Sequence, residues 1–167
     1  MRIQPQASAD MKDLAKKLED QHTALLTVAD GLGMLSCRPM TAQEMDASGA
    51  VWMMVSRKAP WIEDADDSAA NLAFAMPGEG DYVSMSGHVA IVDDSERKKA
   101  LWTVVARAWW SGPEDPDLAL LKVTPSRIEV WDGPNNAISR ILSLAASVIA
   151  GREVGLGEKQ VITPPLP

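Results

Sequence analysis

Apolar and polar residues alternate in several short runs along this chain, which is the pattern of β-strands with one buried face. Six such runs lie at residues 22–29, 34–40, 51–56, 71–75, 82–92 and 118–131. Turn-forming residues separate them, among them Asp30 before Gly31 and the segment Pro77–Gly80. The pattern therefore predicts six strands, most of them joined by short connections.

Four other segments predict helices. Residues 9–20 are apolar at helical spacing along one face, and Ser8 and Asp10 are the two candidate caps. Further helices are predicted at residues 60–65, at about 94–108, and from Asn135 or Asn136 to Gly151. Residues 152–167 are rich in Gly and Pro and are predicted to form a loose tail.

Strands dominate the predicted elements, and helices occupy the connections and the ends. This arrangement predicts a mainly β fold with peripheral helices, built as a six-stranded barrel that is closed or split. The 167 residues fit a single domain with a substantial core. We place that domain at residues 1–151 and the loose tail at 152–167.

Charge and cysteine content argue against several kinds of partner and site. A net charge of −7 and a pI of about 4.8 leave no basic surface of the kind that nucleic acids require. The single Cys37 excludes an intrachain disulfide, and the two histidines are too far apart in sequence to predict a metal site. No signal peptide or membrane span is predicted. We therefore expect a cytoplasmic protein.

Three cations stand at the ends of two consecutive predicted strands. Arg38 lies near the end of the second strand, and Arg57 and Lys58 directly follow the third. Guanidinium groups match phosphate geometry and lysine adds a point charge. The cluster therefore indicates a site for a phosphorylated ligand, with ordinary solvated strand ends as the alternative.

The aromatic residues are dominated by tryptophan, with six Trp against one Tyr and one Phe. Trp109 and Trp110 follow a predicted helix and precede a Gly-Pro loop, so one of them is a candidate wall for a planar ligand. Core packing of both is the alternative. Cys37, adjacent to Arg38 on a strand, is expected to face the opposite side. No side chain stands out as a general base.

Six short motifs follow one another in a specific order. They are Ser36–Met40 (SCRPM), Asn71–Phe74 (NLAF), Tyr82–Gly87 (YVSMSG), Ala108–Trp110 (AWW), Leu120–Pro125 (LLKVTP) and Trp131–Asp132 (WD). Together they resemble the general stress protein branch of the pyridoxamine-phosphate-oxidase-like family over residues 10–150. The resemblance implies a flavin-binding split β-barrel that forms a homodimer, with FMN in a groove between the subunits.

The resemblance also implies roles for particular residues. Arg38 would contact the flavin phosphate, and the backbone at Pro39 and Met40 would line the isoalloxazine ring. The end of the third strand, Val55–Lys58, would continue the phosphate and ribityl site. Trp109 would lie near the flavin of the partner chain. No catalytic side chain is implied, because the flavin itself carries the chemistry.

One part of the motif pattern departs from the family. Relatives carry Thr, Ser and Lys where this chain has Val55, Ala59 and Trp61, so two hydroxyl donors and a cation are missing. Ser56, with the two basic residues that follow it, would then have to replace them.

Three functions follow from the resemblance. One is a flavin-dependent oxidoreductase of the stress-response type, and another is a non-enzymatic protein that stores or senses flavin. The third is a structural dimer that has lost the cofactor, with Val55 and Trp61 filling the groove. True pyridoxamine phosphate oxidation is not expected, because no basic cluster for a second phosphorylated ligand is found.

Overall fold

The computed structural model describes residues 1–30, 32–133 and 158–164. Its strands are β1 Arg2–Ile3, β2 Thr23–Ala29, β3 Leu35–Met45, β4 Val51–Ser56, β5 Ser68–Met76, β6 Asp81–Val92, β7 Leu118–Asp132 and β8 Glu158–Ile162. Its helices are α1 Ala9–Leu18, α2 Ile62–Ala65 and α3 Ser95–Leu101, with a 3₁₀ helix at Val105–Ala108. The helix predicted from Asn135 or Asn136 to Gly151 lies outside the described residues.

Six of the strands close into an antiparallel barrel. Their order is β3-β2-β5-β6-β7-β4, and β4 pairs back onto β3. The short β1 adds to β3 in parallel, and β8 pairs with the second half of β7. The mainly β barrel with peripheral helices that the alternation predicts is therefore confirmed.

The barrel interior is filled by apolar side chains from alternate strand positions. On β2, Ala24, Leu26 and Val28 are buried and their neighbours are more exposed, as the alternation requires. Phe74 and Leu121 are among the largest fully buried side chains of this core. The alternate apolar residues that predict the strands in the sequence are thus the residues that fill the barrel.

A close contact between β6 and β7 depends on one glycine. The register of the two strands shifts between Ser86 and Gly87. A Cβ atom at Gly87 would lie only 2.0 Å from the carbonyl oxygen of Thr124. A side chain at this position would therefore force the strands apart at the irregularity.

A second, smaller apolar cluster lies outside the barrel, and we call it the outer cluster. Its buried members are Trp52, Met54, Leu101, Ala106, Leu118 and Leu120. They come from the outward faces of β4 and β7 and from the segment 101–106, while Trp102 and Trp110 pack partly buried against them. This layer places residues 103–110 beside the barrel wall.

The predicted third helix and the predicted tail are wrong in extent. The helix predicted to about Ala108 ends at Leu101, and Val104 and Val105 are 78% and 72% exposed rather than buried. The predicted loose tail contains β8, because residues 158–162 supply backbone partners to β7. Of the two candidate caps of the first helix, Ser8 is the one that accepts from the Met11 amide, and at α3 Asp94 accepts from the Arg97 amide.

Candidate functional site

A cavity of about 570 Å³ lies beside β3 and β4. One wall comes from Pro39–Thr41 and Gln43 on β3 and from Met54–Ser56 on β4. The opposite wall comes from the segment 103–110, and Ala59, Trp61 and His22 complete the lining. None of the described residues that line it is an Asp, Glu, Lys or Arg. The cavity is therefore mainly apolar, with a few hydroxyl and amide groups, which is typical of sites for small organic ligands.

Two adjacent tryptophans form the aromatic part of the wall. The backbone N–H groups of Trp109 and Trp110 both donate to the carbonyl oxygen of Ala106 at 3.0 Å, which fixes the turn after the 3₁₀ helix. Trp110 packs against the outer cluster, whereas Trp109 is 76% exposed although it lines the cavity. Trp109 thus presents a large apolar ring to the cavity and to solvent.

Arg38 lies on the side of the cavity formed by β3, but its guanidinium does not line the cavity. Its Cζ atom lies 4.0 Å from the centre of the Trp61 ring, and its Nη2 donates to Ser36 Oγ at 2.5 Å. Its Nη1 is buried and has no hydrogen-bond partner in the described part of the chain. Burial lowers the pKa of Arg38, although the group remains a cation. The Trp61 ring, not the guanidinium, faces the cavity here.

The polar groups at the end of β4 bond to the protein's own carboxylates. The Ser56 hydroxyl donates to Asp117, with oxygen–oxygen distances of 2.9 and 2.8 Å. The Lys58 amide donates to the same carboxylate at 3.2 Å, and the Arg57 amide donates to the Asp117 carbonyl at 2.8 Å. Asp117 directly precedes β7, so the pairing of β4 with β7 brings these groups together.

The two basic side chains after β4 also face acidic residues. Arg57 forms an ion pair with Asp93 at 2.8 Å. A hydrogen bond from Lys98 holds the pKa of Asp93 below its ordinary value, and the charge of Arg57 adds to this effect. Hydrogen bonds from Ser111 and Asp117 likewise lower the pKa of Asp115, with a smaller contribution from the charge of Lys58.

The structure separates the predicted site residues into two groups. Pro39, Met40, Val55, Ser56 and Trp109 line one cavity, although they come from distant parts of the sequence. Arg38, Arg57 and Lys58 do not line it. Cys37 is exposed, on the strand face opposite to Arg38, as expected.

Sequence reasoning missed the acidic partners and part of the wall. Asp117 is 61 residues from Ser56 in sequence, so only the strand pairing reveals their contact. Thr41 and Gln43 were missed because β3 continues to Met45, beyond the predicted strand end. Trp61 carried a signal, since the resemblance implies a lysine at this position and this chain has a tryptophan.

Two further structural findings concern other kinds of site. In residues 1–30, 32–133 and 158–164, no three His, Cys, Asp or Glu side chains are grouped so that they could hold a metal ion. Within the same ranges, no helix combines the length and the apolar character needed to cross a membrane.

Comparison with solved structures finds several general stress proteins that are similar to this chain. A general stress protein 26 from Jannaschia sp. CCS1 has a crystal structure that matches with a TM-score of 0.72 and 26% identity, covering 93% of this chain and 99% of that one. A general stress FMN/FAD binding protein from Xanthomonas citri matches with a TM-score of 0.64 and 27% identity, covering 75% of this chain and 89% of that one.

The sequence comparisons agree with the structural ones. General stress protein 26 of Bacillus subtilis is 30% identical over 78 residues, which are 46% of this chain and 56% of that protein. Residues 9–155 match the family described as "Pyridoxamine 5'-phosphate oxidase like". This match covers most of the chain and agrees with the barrel topology, so the chain belongs to the pyridoxamine 5'-phosphate oxidase like family.

Proposed function

We propose that the protein binds a flavin in the cavity beside β3 and β4, with FMN as the form that the sequence predicts. The observation that carries the proposal is the cavity itself, which is apolar, has an aromatic wall and gathers five of the predicted site residues. The family and the FMN/FAD binding described for the Xanthomonas citri relative support the same ligand class.

The residues present fit the ring of a flavin. Pro39 and Met40 on β3 and the indole of Trp109 give apolar surfaces on different walls of the cavity. An aromatic side chain stabilises a flat ring by offset or edge contacts and by removing apolar area from water. When bound, a flavin supplies electron and hydride transfer. The protein's part is to hold the ring and to limit the access of water.

We also propose that the protein is a homodimer whose second subunit covers this region. Val104, Val105 and Trp109 are large apolar side chains that stay more than two thirds exposed, and Val105 and Trp109 line the cavity. Three such side chains close together mark a surface that a partner covers. A flavin between subunits would contact residues of both chains.

The absorption spectrum of the purified protein tests the flavin proposal. A protein that retains a yellow flavin, or that takes up added FMN with a shifted visible spectrum, supports it. A colourless protein that shows neither spectral change nor heat of binding with any flavin would identify a dimer that has lost the cofactor. Light scattering on the same sample measures whether the mass is that of two chains.

Enzymatic and non-enzymatic functions separate in a second measurement. Under anaerobic conditions, a nicotinamide donor that bleaches the visible absorbance of the bound flavin, followed by reoxidation with an electron acceptor, supports an oxidoreductase. A flavin that binds but is not reduced at a useful rate supports a store or sensor. The donor and acceptor remain to be identified by such trials.

A further inference from the structure

We infer that the cavity recognises the ring system of a flavin and not its phosphate, so that riboflavin and FMN bind equally well. This inference rests on the proposed function and specifies which part of the ligand is bound. A phosphate monoester brings a charge between −1 and −2 at neutral pH. No described lining residue is a lysine or an arginine, and the chain as a whole has a net charge of −7.

The donors at the end of β4 already have an anionic partner within the protein. Asp117 accepts from the Ser56 hydroxyl at 2.9 and 2.8 Å and from the Lys58 amide at 3.2 Å. A phosphate at this position would have to displace a carboxylate or stand beside it, and like charges at such distances repel strongly. The internal carboxylate thus occupies the place that the sequence analysis gave to the phosphate.

The Arg57 side chain is not available either. It forms an ion pair with Asp93 at 2.8 Å, and Asp93 is also bonded to Lys98 at 2.5 Å. Recruiting Arg57 to a ligand would break this pair and leave Asp93 with one cation instead of two. Asp93 and Asp117 therefore reduce the binding free energy that a phosphate could obtain from the groups at the end of β4.

Neither Arg38 nor Lys58 forms an ion pair in the described part of the chain. Lys58 does not line the cavity, and the indole of Trp61 covers the Arg38 guanidinium. Trp61 stacks on this guanidinium at 4.0 Å, lines the cavity and packs partly buried against the barrel core. A phosphate could reach the guanidinium only if this ring moved out of its packing. At residue 61, where the resemblance implies a lysine, this chain has a neutral ring that separates the Arg38 guanidinium from the cavity.

Titration of the purified full-length protein with riboflavin and with FMN tests the inference directly. Quenching of flavin fluorescence, or calorimetry, gives both dissociation constants. We expect them to agree within about threefold, a difference well below the tenfold step of 1.4 kcal/mol. FMN that binds about tenfold more tightly than riboflavin, or more so, would overturn the inference and leave the proposed function intact. If neither flavin binds, the proposed function itself is wrong.

Two variants of residue 61 sharpen the test. Trp61→Lys removes the covering ring and adds a cation, so FMN binding should tighten about tenfold while riboflavin binding stays the same or weakens. Trp61→Phe keeps a neutral ring at this position and should leave the ratio of the two constants near one. An unchanged ratio in a folded Trp61→Lys protein would overturn the role given to Trp61, and circular dichroism checks the fold of both variants.

A variant of Arg38 also tests whether the flavin phosphate is recognised, and this test does not depend on an increase in affinity. Arg38→Met keeps an apolar stem against Trp61 and removes the charge. Because the wild-type guanidinium is covered, the affinities for riboflavin and FMN should change by the same factor. A loss of about tenfold or more that is confined to FMN would show that Arg38 reaches the phosphate, and would overturn the inference.

Discussion

The two faces of β4 carry similar apolar residues and have different surroundings. Val51, Met53 and Val55 point into the barrel, where six strands surround them. Trp52 and Met54 point outward into the outer cluster, where Leu101 and Ala106 pack with the partly buried Trp102 and Trp110. The inner face is enclosed by the barrel, whereas the segment that covers the outer face also forms one wall of the cavity. Met54 of the outer face lines the cavity together with Val55 at the end of the inner face, whereas Val51 and Met53 serve the barrel core alone.

Met53 and Met54 test this comparison most strongly, since they are neighbours of the same type on opposite faces. Met53 is fully buried, so Met53→Ala should lower the free energy of unfolding by about 3 kcal/mol through lost burial and a residual cavity. Flavin affinity should change little, because Met53 does not line the cavity. Urea denaturation and flavin titration measure the two effects.

Met54→Ala is the matched control on the outer face. Met54 lines the cavity and keeps 8% of its surface exposed, so its truncation should lower the free energy of unfolding by about 2 kcal/mol, the low end for a buried methionine. It should also weaken flavin binding. If the two variants lose equal stability and equal affinity, the two faces do not have separate roles.

Asp46 stabilises the attachment of Trp52 to the outer layer and should give an intermediate effect. Its carboxylate accepts from Trp52 Nε1 at 2.7 Å and from Ser48 Oγ at 2.6 Å. Asp46→Asn should lower the free energy of unfolding by about 1–2 kcal/mol at neutral pH, because hydrogen bonds to a charged acceptor are lost. Thermal or urea unfolding measures the difference, with the exposed Glu63→Gln as a control that should have little effect.

The same variant should also change the dependence of stability on pH. Burial raises the pKa of Asp46, but hydrogen bonds from Ser48, Trp52 and Ala50 outweigh it and lower the pKa below the usual 3.8. The ionised group therefore stabilises the fold fully above pH 3.8, and this contribution is lost as the pH falls through the lower folded-state pKa. The stability gap between wild type and Asp46→Asn should narrow in that range. If the stability difference stays constant with pH, the loss of stability in Asp46→Asn comes from altered packing and not from the lost charge.

Trp109 should give the smallest effect on stability and a clear effect on the ligand. The side chain is 76% exposed, so Trp109→Ala should change the free energy of unfolding of the monomer by less than about 0.5 kcal/mol. If the ring is a wall of the flavin site, affinity should fall about tenfold. Leu32→Ala, another exposed apolar residue that lies outside the cavity wall, should leave affinity unchanged. Equal affinities of all three proteins would remove Trp109 from the site.

Much of the barrel could be predicted from the sequence because strand alternation is a local signal. Prediction from the sequence fails where the structure of a segment depends on residues far away in the chain. Val104 and Val105 fit a helical face with Leu101, yet the helix ends and both remain exposed. Residues 158–162 lie in a Gly- and Pro-rich segment, and only their pairing with β7 makes them a strand.

The candidate site was predictable only in its apolar part. Pro39, Met40 and Trp109 are apolar, so they have no charge that an acidic residue could neutralise. Their motifs were therefore enough to place them at one cavity. The role of a cation depends instead on the nearest anion. Asp93 and Asp117 reach Arg57 and Ser56 only through the tertiary fold, so the sequence could not show that these groups are already paired.

The pairing of β7 with β8 limits how far the chain can be shortened from its C-terminal end. Its first half pairs with β4 over residues 118–123, and its second half pairs with β8 over residues 128–132. A protein shortened to the end of the family match at residue 155 would lose β8 and expose backbone donors and acceptors along the second half of β7. Uncovered strand edges of this kind recruit strands from other molecules. We therefore expect the shortened protein to self-associate more than the full chain does.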